Sequence, residues 1–235
     1  MKDSIVLGID VGVRNLSLCA INKQDWVRYR NNETDLNIIY WKVLNIINDT
    51  YHCNHLLKKG TICNKKAKYK NETNEYKCGT HKTEKDTILN IKTSSDYTSH
   101  QLLTLCLETL SQEEELLKLH ITKIIIELQP TFNPKMRLLS HGIHSFFIMN
   151  AISNNKSVPS VSYSHAKNKL KIISILGLIK QSTKKTKYAR TKEITVNATT
   201  ELIKSTNTYY NMFMQTTKKD DLADALFHTI WGVYK

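Results

Sequence analysis

Four acidic residues occupy positions where a lone carboxylate is costly. Asp10 ends a short apolar segment, Ile-Val-Leu-Gly-Ile, and Glu127 follows three consecutive isoleucines. Both segments have the composition of buried strands, in which an acid needs a partner or a cation. Asp221 and Asp224 are three residues apart in a segment that we predict to be helical, so they share one face. Because two acids on one face repel each other, a cation between them would stabilise the pair.

Each acid also has an ordinary structural explanation. Asp10 can cap a turn, Glu127 can pair with a lysine, and Asp220 and Asp221 both suit the N-terminal end of a helix. Taken one at a time, these explanations are as good as a cation site. Only the combination of the acids distinguishes the two interpretations.

A second cluster of residues has the chemistry of a metal site of a different kind. Three cysteines and a histidine follow the pattern C-x9-C-x14-C-x2-H: Cys53, Cys63, Cys78 and His81. Their surroundings are hydrophilic and rich in lysine and asparagine, with little apolar sequence to form a core. Four soft ligands in such a segment predict a structural zinc ion rather than free thiols. His52 and His55 are alternative ligands, whereas Cys19 and Cys106 lie in apolar segments and suit a core.

Periodicity indicates which elements position these residues. We predict strands over residues 4–10, 15–22, 37–43, 122–128 and 158–163, and helices from Ser94 or Ser95 to about His120, over 133–153 and over 219–233. Strands that precede and then alternate with helices predict an α/β fold with a mixed sheet flanked by helices. Residues 50–85 interrupt this order. We therefore predict one α/β domain, 1–49 and 86–235, with an inserted zinc-binding module at 50–85.

Charge and hydropathy restrict the class of partner. The chain has 235 residues and a net charge of +13, which favours a polyanionic partner such as nucleic acid. The lysines of the insertion and the basic stretch 180–192 either contact phosphates or form solvated surface. No apolar run is long enough to span a bilayer, and the start of the chain has strand-like rather than signal-peptide sequence. We expect a soluble, intracellular protein without membrane contact.

Three motifs together resemble the Holliday junction resolvases of the RuvC type and of poxviruses. They are Gly-Ile-Asp-Val-Gly with Asn15 nearby, Ile-Ile-Ile-Glu-Leu-Gln, and Lys-Lys-Asp-Asp-Leu-Ala-Asp-Ala-Leu. Glu127-Leu128-Gln129, followed by Asn133, Met136 and Phe146-Phe147, is similar to the poxvirus branch in particular. The resemblance covers residues 5–22 and about 94–234, and it omits the Cys/His insertion.

The resemblance implies an RNase H-like fold and a metal-dependent endonuclease that resolves four-way DNA junctions. It implies that two Mg²⁺ ions, or Mn²⁺ in their place, bind to Asp10, Glu127, Asp221 and Asp224. Asp220 is the rival of Asp221, but Asp-x-x-Asp-Ala-Leu fits the family spacing. Two hard cations can activate a water molecule and stabilise the departing oxygen of a phosphodiester.

The resemblance further implies a lysine near the scissile phosphate and a homodimer. Lys169 is the first candidate for this lysine and Lys167 the second, although both are ordinary surface lysines if the resemblance does not extend to them. The apolar segment 133–153 is a candidate for the dimer interface or, equally, for the centre of the monomer core. For a viral protein we expect action in the host cytoplasm, at sites of viral replication.

Three other functions remain open at this stage. An RNase H-like nuclease can act on RNA or on RNA–DNA hybrids, and transposases share the acidic core. Gly-Ile-Asp-Val-Gly also resembles the phosphate motif of actin-like and sugar kinases, which ATP binding would test. The third alternative is a non-catalytic, zinc-bearing DNA-binding protein, against which the retained acids argue.

Overall fold

The computed structural model describes residues 4–47, 51–203 and 208–235. The chain divides into two compact units, a larger one formed by Met1–Ile46 with Ser99–Lys235 and a smaller one formed by Ile47–Thr98. The smaller unit extends beyond residue 85, where we predicted the insertion to end, because its strand Thr87–Ile88 pairs with Tyr69–Lys70. Within the described residues, no helix has the length and apolar character needed to cross a bilayer.

The elements follow one another in this order: β1 Ile5–Val11, β2 Asn15–Asn22, α1 Lys23–Arg30, β3 Ile38–Asn45, β4 Tyr69–Lys70, β5 Tyr76–Lys77, β6 Thr87–Ile88, α2 Ser99–Ser111, α3 Glu114–Lys118, β7 Ile121–Glu127, α4 Pro134–Ser153, β8 Ser160–Ser164, α5 Lys167–Ile175, α6 Lys187–Ile203, α7 Tyr210–Gln215 and α8 Lys219–Tyr234. The larger unit contains a five-stranded sheet with the order β3-β2-β1-β7-β8. Strands β1 to β3 form an antiparallel meander, and β7 and β8 run parallel to β1. The predicted mixed sheet flanked by helices is thus confirmed.

Helix α8 is held against the sheet at fixed positions. Gly8 in β1 allows the close approach, since a Cβ atom there would lie 2.4 Å from the backbone nitrogen of Thr229. The Thr229 hydroxyl bonds to the carbonyl of Cys19 in β2 at 2.8 Å, and the Trp41 indole of β3 donates to the carbonyl of Leu222 at 2.9 Å. These contacts set the rotation of α8, and therefore the direction of its acidic face.

One sequence expectation about helices was wrong, and one helix was missed. The predicted helix from Ser94 or Ser95 to His120 begins at Ser99 and is interrupted before Glu114. Glu113 leaves the helical conformation, and its carboxylate accepts hydrogen bonds from Tyr40 and Lys42 of β3 at 2.7 Å each. Helix α1 was not predicted; it begins after Asn22, whose side chain accepts a hydrogen bond from the backbone of Gln24.

The smaller unit has very little apolar core. It contains a three-stranded sheet with the order β5-β4-β6. Among its described residues, the buried apolar side chains are Ile47, Cys53, Ala67 and Cys78. Such a core is too small to stabilise the unit by apolar burial alone.

Candidate active site

The candidate site lies at the carboxyl ends of two neighbouring parallel strands. Asp10 is the penultimate residue of β1 and Glu127 ends β7, and the register pairs Ile9 with Ile126 just before them. The Gln129 amide donates to the backbone carbonyl of Val11 at 3.4 Å, which ties the two strand ends together. The two acids thus lie side by side at one edge of the sheet.

A buried lysine joins two of the acids. The Nζ atom of Lys169, in the first turn of α5, lies 2.6 Å from the Asp224 carboxylate of α8 and 3.3 Å from that of Glu127. Only 4% of Lys169 is exposed, whereas Lys167 is exposed. The structure therefore brings Asp10, Glu127, Asp224 and Lys169 together, and it places Lys167 at the surface.

The site carries more negative than positive charge. Burial, and then the neighbouring Glu127, raise the pKa of Asp10 well above its usual value. Burial also acts to raise the pKa of Glu127, but contacts with His228 and Asp10 and the charge of Lys169 hold it below its usual range. Burial raises the pKa of Asp224 in spite of Lys169. Burial and mutual repulsion thus oppose full ionisation of three carboxylates around one ammonium, and a divalent cation would relieve this repulsion, so the residues fit such an ion.

The sequence interpretation missed His228. This histidine lies on α8, four residues after Asp224, and its Nε2 atom is 3.7 Å from Glu127 Oε1. Asp10, Glu127 and His228 each offer one donor atom, and these three atoms all lie within 4.8 Å of one another. The spacing of four from Asp224 was the available signal, because it places both side chains on one helical face.

Asp221 lies on the same face of α8, but its partners are different. Its carboxylate accepts a hydrogen bond from the Asn15 amide at 3.2 Å and lies 3.8 Å from Lys218. The neighbouring Asp220 pairs with Lys192 of α6. Asp220 therefore forms an ion pair outside the cluster, whereas Asp221 faces Asn15 at the start of β2.

The Cys/His cluster of the smaller unit has the dimensions of a tetrahedral site. The Nδ1 atom of His81 lies 3.5 Å from the sulfur atoms of both Cys53 and Cys78, and the sulfur atoms of Cys63 and Cys78 are 3.9 Å apart. Tetrahedral zinc with ordinary bond lengths would separate nitrogen from sulfur by about 3.6 Å and sulfur from sulfur by about 3.8 Å. All four side chains predicted to bind zinc thus meet at one point.

Electrostatics favour the thiolate form of Cys78, which is the form that a metal requires. Burial opposes ionisation of Cys78, but hydrogen bonds from the backbone of Thr80 and His81 lower the pKa of its thiol to about 7. The alternative ligands lie outside the four-atom cluster: His52 bonds to the carbonyl of Asn64 at 3.0 Å, and the ring of His55 lies against that of His81.

The basic stretch 180–192 is partly ordered by ion pairs. Lys180 pairs with Glu201, and Lys192 pairs with Asp220. Its last residues belong to α6, which begins at Lys187. These two lysines are therefore partly neutralised by the protein itself.

The order of the sheet, with acids at the ends of adjacent strands and on the C-terminal helix, defines an RNase H-like fold. The yeast mitochondrial Holliday junction resolvase Ydc2 is similar, with a TM-score of 0.51 at 17% identity, over 99% of this chain and 80% of that one. This likeness confirms the predicted fold. The fowlpox virus Holliday junction resolvase matches with a TM-score of 0.45 at 12% identity, over 98% of this chain and 97% of that one.

The sequence comparisons are less extensive. No protein-family model matches the chain. Uncharacterized protein L451 of Acanthamoeba polyphaga mimivirus is 28% identical in an alignment of 195 residues that covers 74% of this chain and 46% of L451. The chain thus spans about half the length of the curated relative that it matches.

Proposed function

We propose that this protein is a structure-selective endonuclease that resolves four-way DNA junctions by paired, metal-dependent cleavage of phosphodiesters. The observation that carries the proposal is the cluster of Asp10, Glu127 and Asp224 around the buried Lys169, at the carboxyl edge of an RNase H-like sheet. The structural likeness to the yeast resolvase supports the proposal, because the name of that protein describes the same activity.

The carboxylates of Asp10, Glu127, Asp221 and Asp224 would hold two Mg²⁺ ions, or Mn²⁺ in their place. Bound divalent cations supply an activated water and charge stabilisation at the departing oxygen. Without them, the excess negative charge of the site would repel a DNA phosphate. Lys169 faces this cluster with a positive charge and is suited to hold the scissile phosphate in position.

A panel of labelled substrates tests the proposal against its nearest alternative. In the presence of Mg²⁺, the protein is expected to cut a synthetic four-way junction much faster than a linear duplex or an RNA–DNA hybrid. Faster cleavage of the hybrid would favour an RNase H-like nuclease acting on hybrids. No cleavage of any substrate would favour a non-catalytic DNA-binding protein.

Replacing Lys169 by methionine is expected to slow junction cleavage by about a hundredfold, because methionine keeps much of the length of the side chain but removes its charge. Single-turnover cleavage with saturating metal measures the effect, and circular dichroism checks the fold. Lys167→Met is the matched control, since Lys167 is exposed in the same helical turn. A loss of cleavage in Lys167→Met and not in Lys169→Met would show that the assignment is wrong.

We also propose that two copies act as a homodimer, because a four-way junction has approximate two-fold symmetry and needs two related cuts. Helix α4 offers two apolar faces. Leu139, Ile143 and Phe147 are buried in the monomer, whereas Leu138 and Met149 remain exposed. This exposed face lines an open groove with Leu103 and Leu107 of α2 and supports the use of α4 in the interface.

Mixing wild-type subunits with Asp224→Asn subunits is expected to give mixed dimers that nick one strand of the junction and leave the partner strand whole.

Met149→Glu, in the groove, should shift the protein to monomers in sedimentation velocity. Val27→Glu, at a similarly exposed apolar position on α1, should not. A protein that sediments as a monomer on a junction and still makes paired cuts would exclude the dimer.

The smaller unit would hold one structural zinc ion through Cys53, Cys63, Cys78 and His81. The agreement between its donor distances and those of a tetrahedral site supports this proposal. The likeness to a mimivirus protein supports a viral source, and hence action at sites of viral DNA replication in the host cytoplasm.

A further inference from the structure

We propose that His228 binds directly, through a ring nitrogen, to the cation held by Asp10 and Glu127, and that it shifts the preference of this site from Mg²⁺ toward Mn²⁺. The inference rests on the proposed function only in requiring a divalent cation at these carboxylates. It adds a nitrogen ligand to a set that otherwise consists of oxygen donors.

The first observation is that His228 is fully buried and poorly satisfied. Its exposed fraction is 0%, and neither ring nitrogen has a hydrogen-bond partner among the described residues. The hydroxyl of the next residue, Thr229, donates instead to the carbonyls of Cys19 and Ala225. Because buried polar atoms in native proteins are nearly always paired, an imidazole without a partner needs an explanation.

The second observation is the distance from His228 to the acids. The separation of 3.7 Å between its Nε2 atom and Glu127 Oε1 is too long for a hydrogen bond. Two donors bound to one ion at about 2.1 Å lie about 3.0 Å apart when adjacent and about 4.2 Å apart when opposite. The donors of Asp10, Glu127 and His228, all within 4.8 Å of one another, approach these spacings.

The chemistry of the donors predicts which ion is favoured. Carboxylates and water suit both Mg²⁺ and Mn²⁺, but Mn²⁺ is a first-row transition ion and accepts an imidazole nitrogen more readily than the harder Mg²⁺ does. A site of two carboxylates and one imidazole therefore gains more for Mn²⁺ than for Mg²⁺. Lys169 bonds chiefly to Asp224, at 2.6 Å, and lies farther from the Glu127 oxygen that faces His228, at 3.3 Å.

Electron paramagnetic resonance of Mn²⁺ bound to the full-length, zinc-containing protein tests the inference directly. Protein labelled with ¹⁵N-histidine is expected to show the hyperfine coupling of a directly bonded nitrogen, and His228→Gln is expected to lose it. His165→Gln, at an exposed histidine before α5, is the matched control and should keep the coupling. Mn²⁺ that binds in a Glu127-dependent manner without nitrogen coupling would overturn the inference.

Metal titrations provide a second readout. His228→Gln is expected to weaken Mn²⁺ binding at least about tenfold, and Mg²⁺ binding less; an equal loss for both ions would contradict the proposed preference. If His228→Gln does not fold, the wild-type spectrum decides alone. Nitrogen coupling without junction cleavage would refute the proposed function and keep the ligand. Junction cleavage by protein whose bound Mn²⁺ shows no nitrogen coupling would refute the His228 ligand and keep the proposed function.

Discussion

Replacing Glu127 by glutamine is expected to slow cleavage of a four-way junction by at least about a thousandfold, which corresponds to roughly 4 kcal/mol of transition-state stabilisation. The amide keeps the shape of the side chain but removes the charge that holds a divalent cation. Asp10→Asn and Asp224→Asn are expected to have effects of the same size. Junction binding should persist, because it depends mainly on contacts with phosphates. Single-turnover rates and gel-shift titrations measure the two properties separately.

Asp220 provides a control because it lies on α8 next to Asp221 and one turn before Asp224. Asp220→Asn is expected to leave the cleavage rate nearly unchanged, since Asp220 pairs with Lys192. Asp221→Asn is expected to lose activity with the other acids. A variant of Glu127, Asp10 or Asp224 that cuts at a rate near that of the wild type would remove that residue from the metal site.

Replacing Cys78 by serine is expected to abolish zinc binding and to unfold the smaller unit, while the larger unit stays folded. Structural zinc sites contribute about 10 to 16 kcal/mol in zinc-finger peptides, and the smaller unit has few buried apolar residues to compensate for such a loss. The larger unit has its own sheet and core. Elemental analysis measures the zinc, and hydrogen exchange shows which residues lose protection.

Cys106→Ser is the matched control for this variant. Cys106 is also a buried, free cysteine, but it belongs to α2 in the larger unit. This variant should retain about one zinc per chain and lose only packing energy. Native protein without zinc, or Cys78→Ser with zinc still bound, would contradict the account of the smaller unit.

Local sequence patterns were enough to predict the elements that carry the acids. The buried segments around Asp10 and Glu127 are short and apolar, so strands were expected there and occur as β1 and β7. The apolar spacing after Lys219 predicted α8. These patterns depend on neighbouring residues in the chain, which is why the sequence alone reveals them.

Features that depend on tertiary contacts could not be predicted in the same way. His228 lies in an apolar stretch and resembles an ordinary core residue; only the packing of α8 against β1 and β7 brings it to Glu127. The interruption before α3 arises because Glu113 turns toward Tyr40 and Lys42 of β3. The Asn15 amide that bonds to Asp221 is likewise remote in sequence.

The most direct test of the central claim is to map the cuts in a junction whose four strands are labelled in turn. With Mg²⁺, the wild-type protein is expected to cut two opposed strands of like polarity at symmetrically related positions, and EDTA should stop both cuts. Glu127→Gln should bind the same junction and leave all four strands intact. Cleavage that persists in EDTA or in Glu127→Gln, or an intact junction after incubation with folded, metal-loaded wild type, would contradict the assignment of this site to metal-dependent junction resolution.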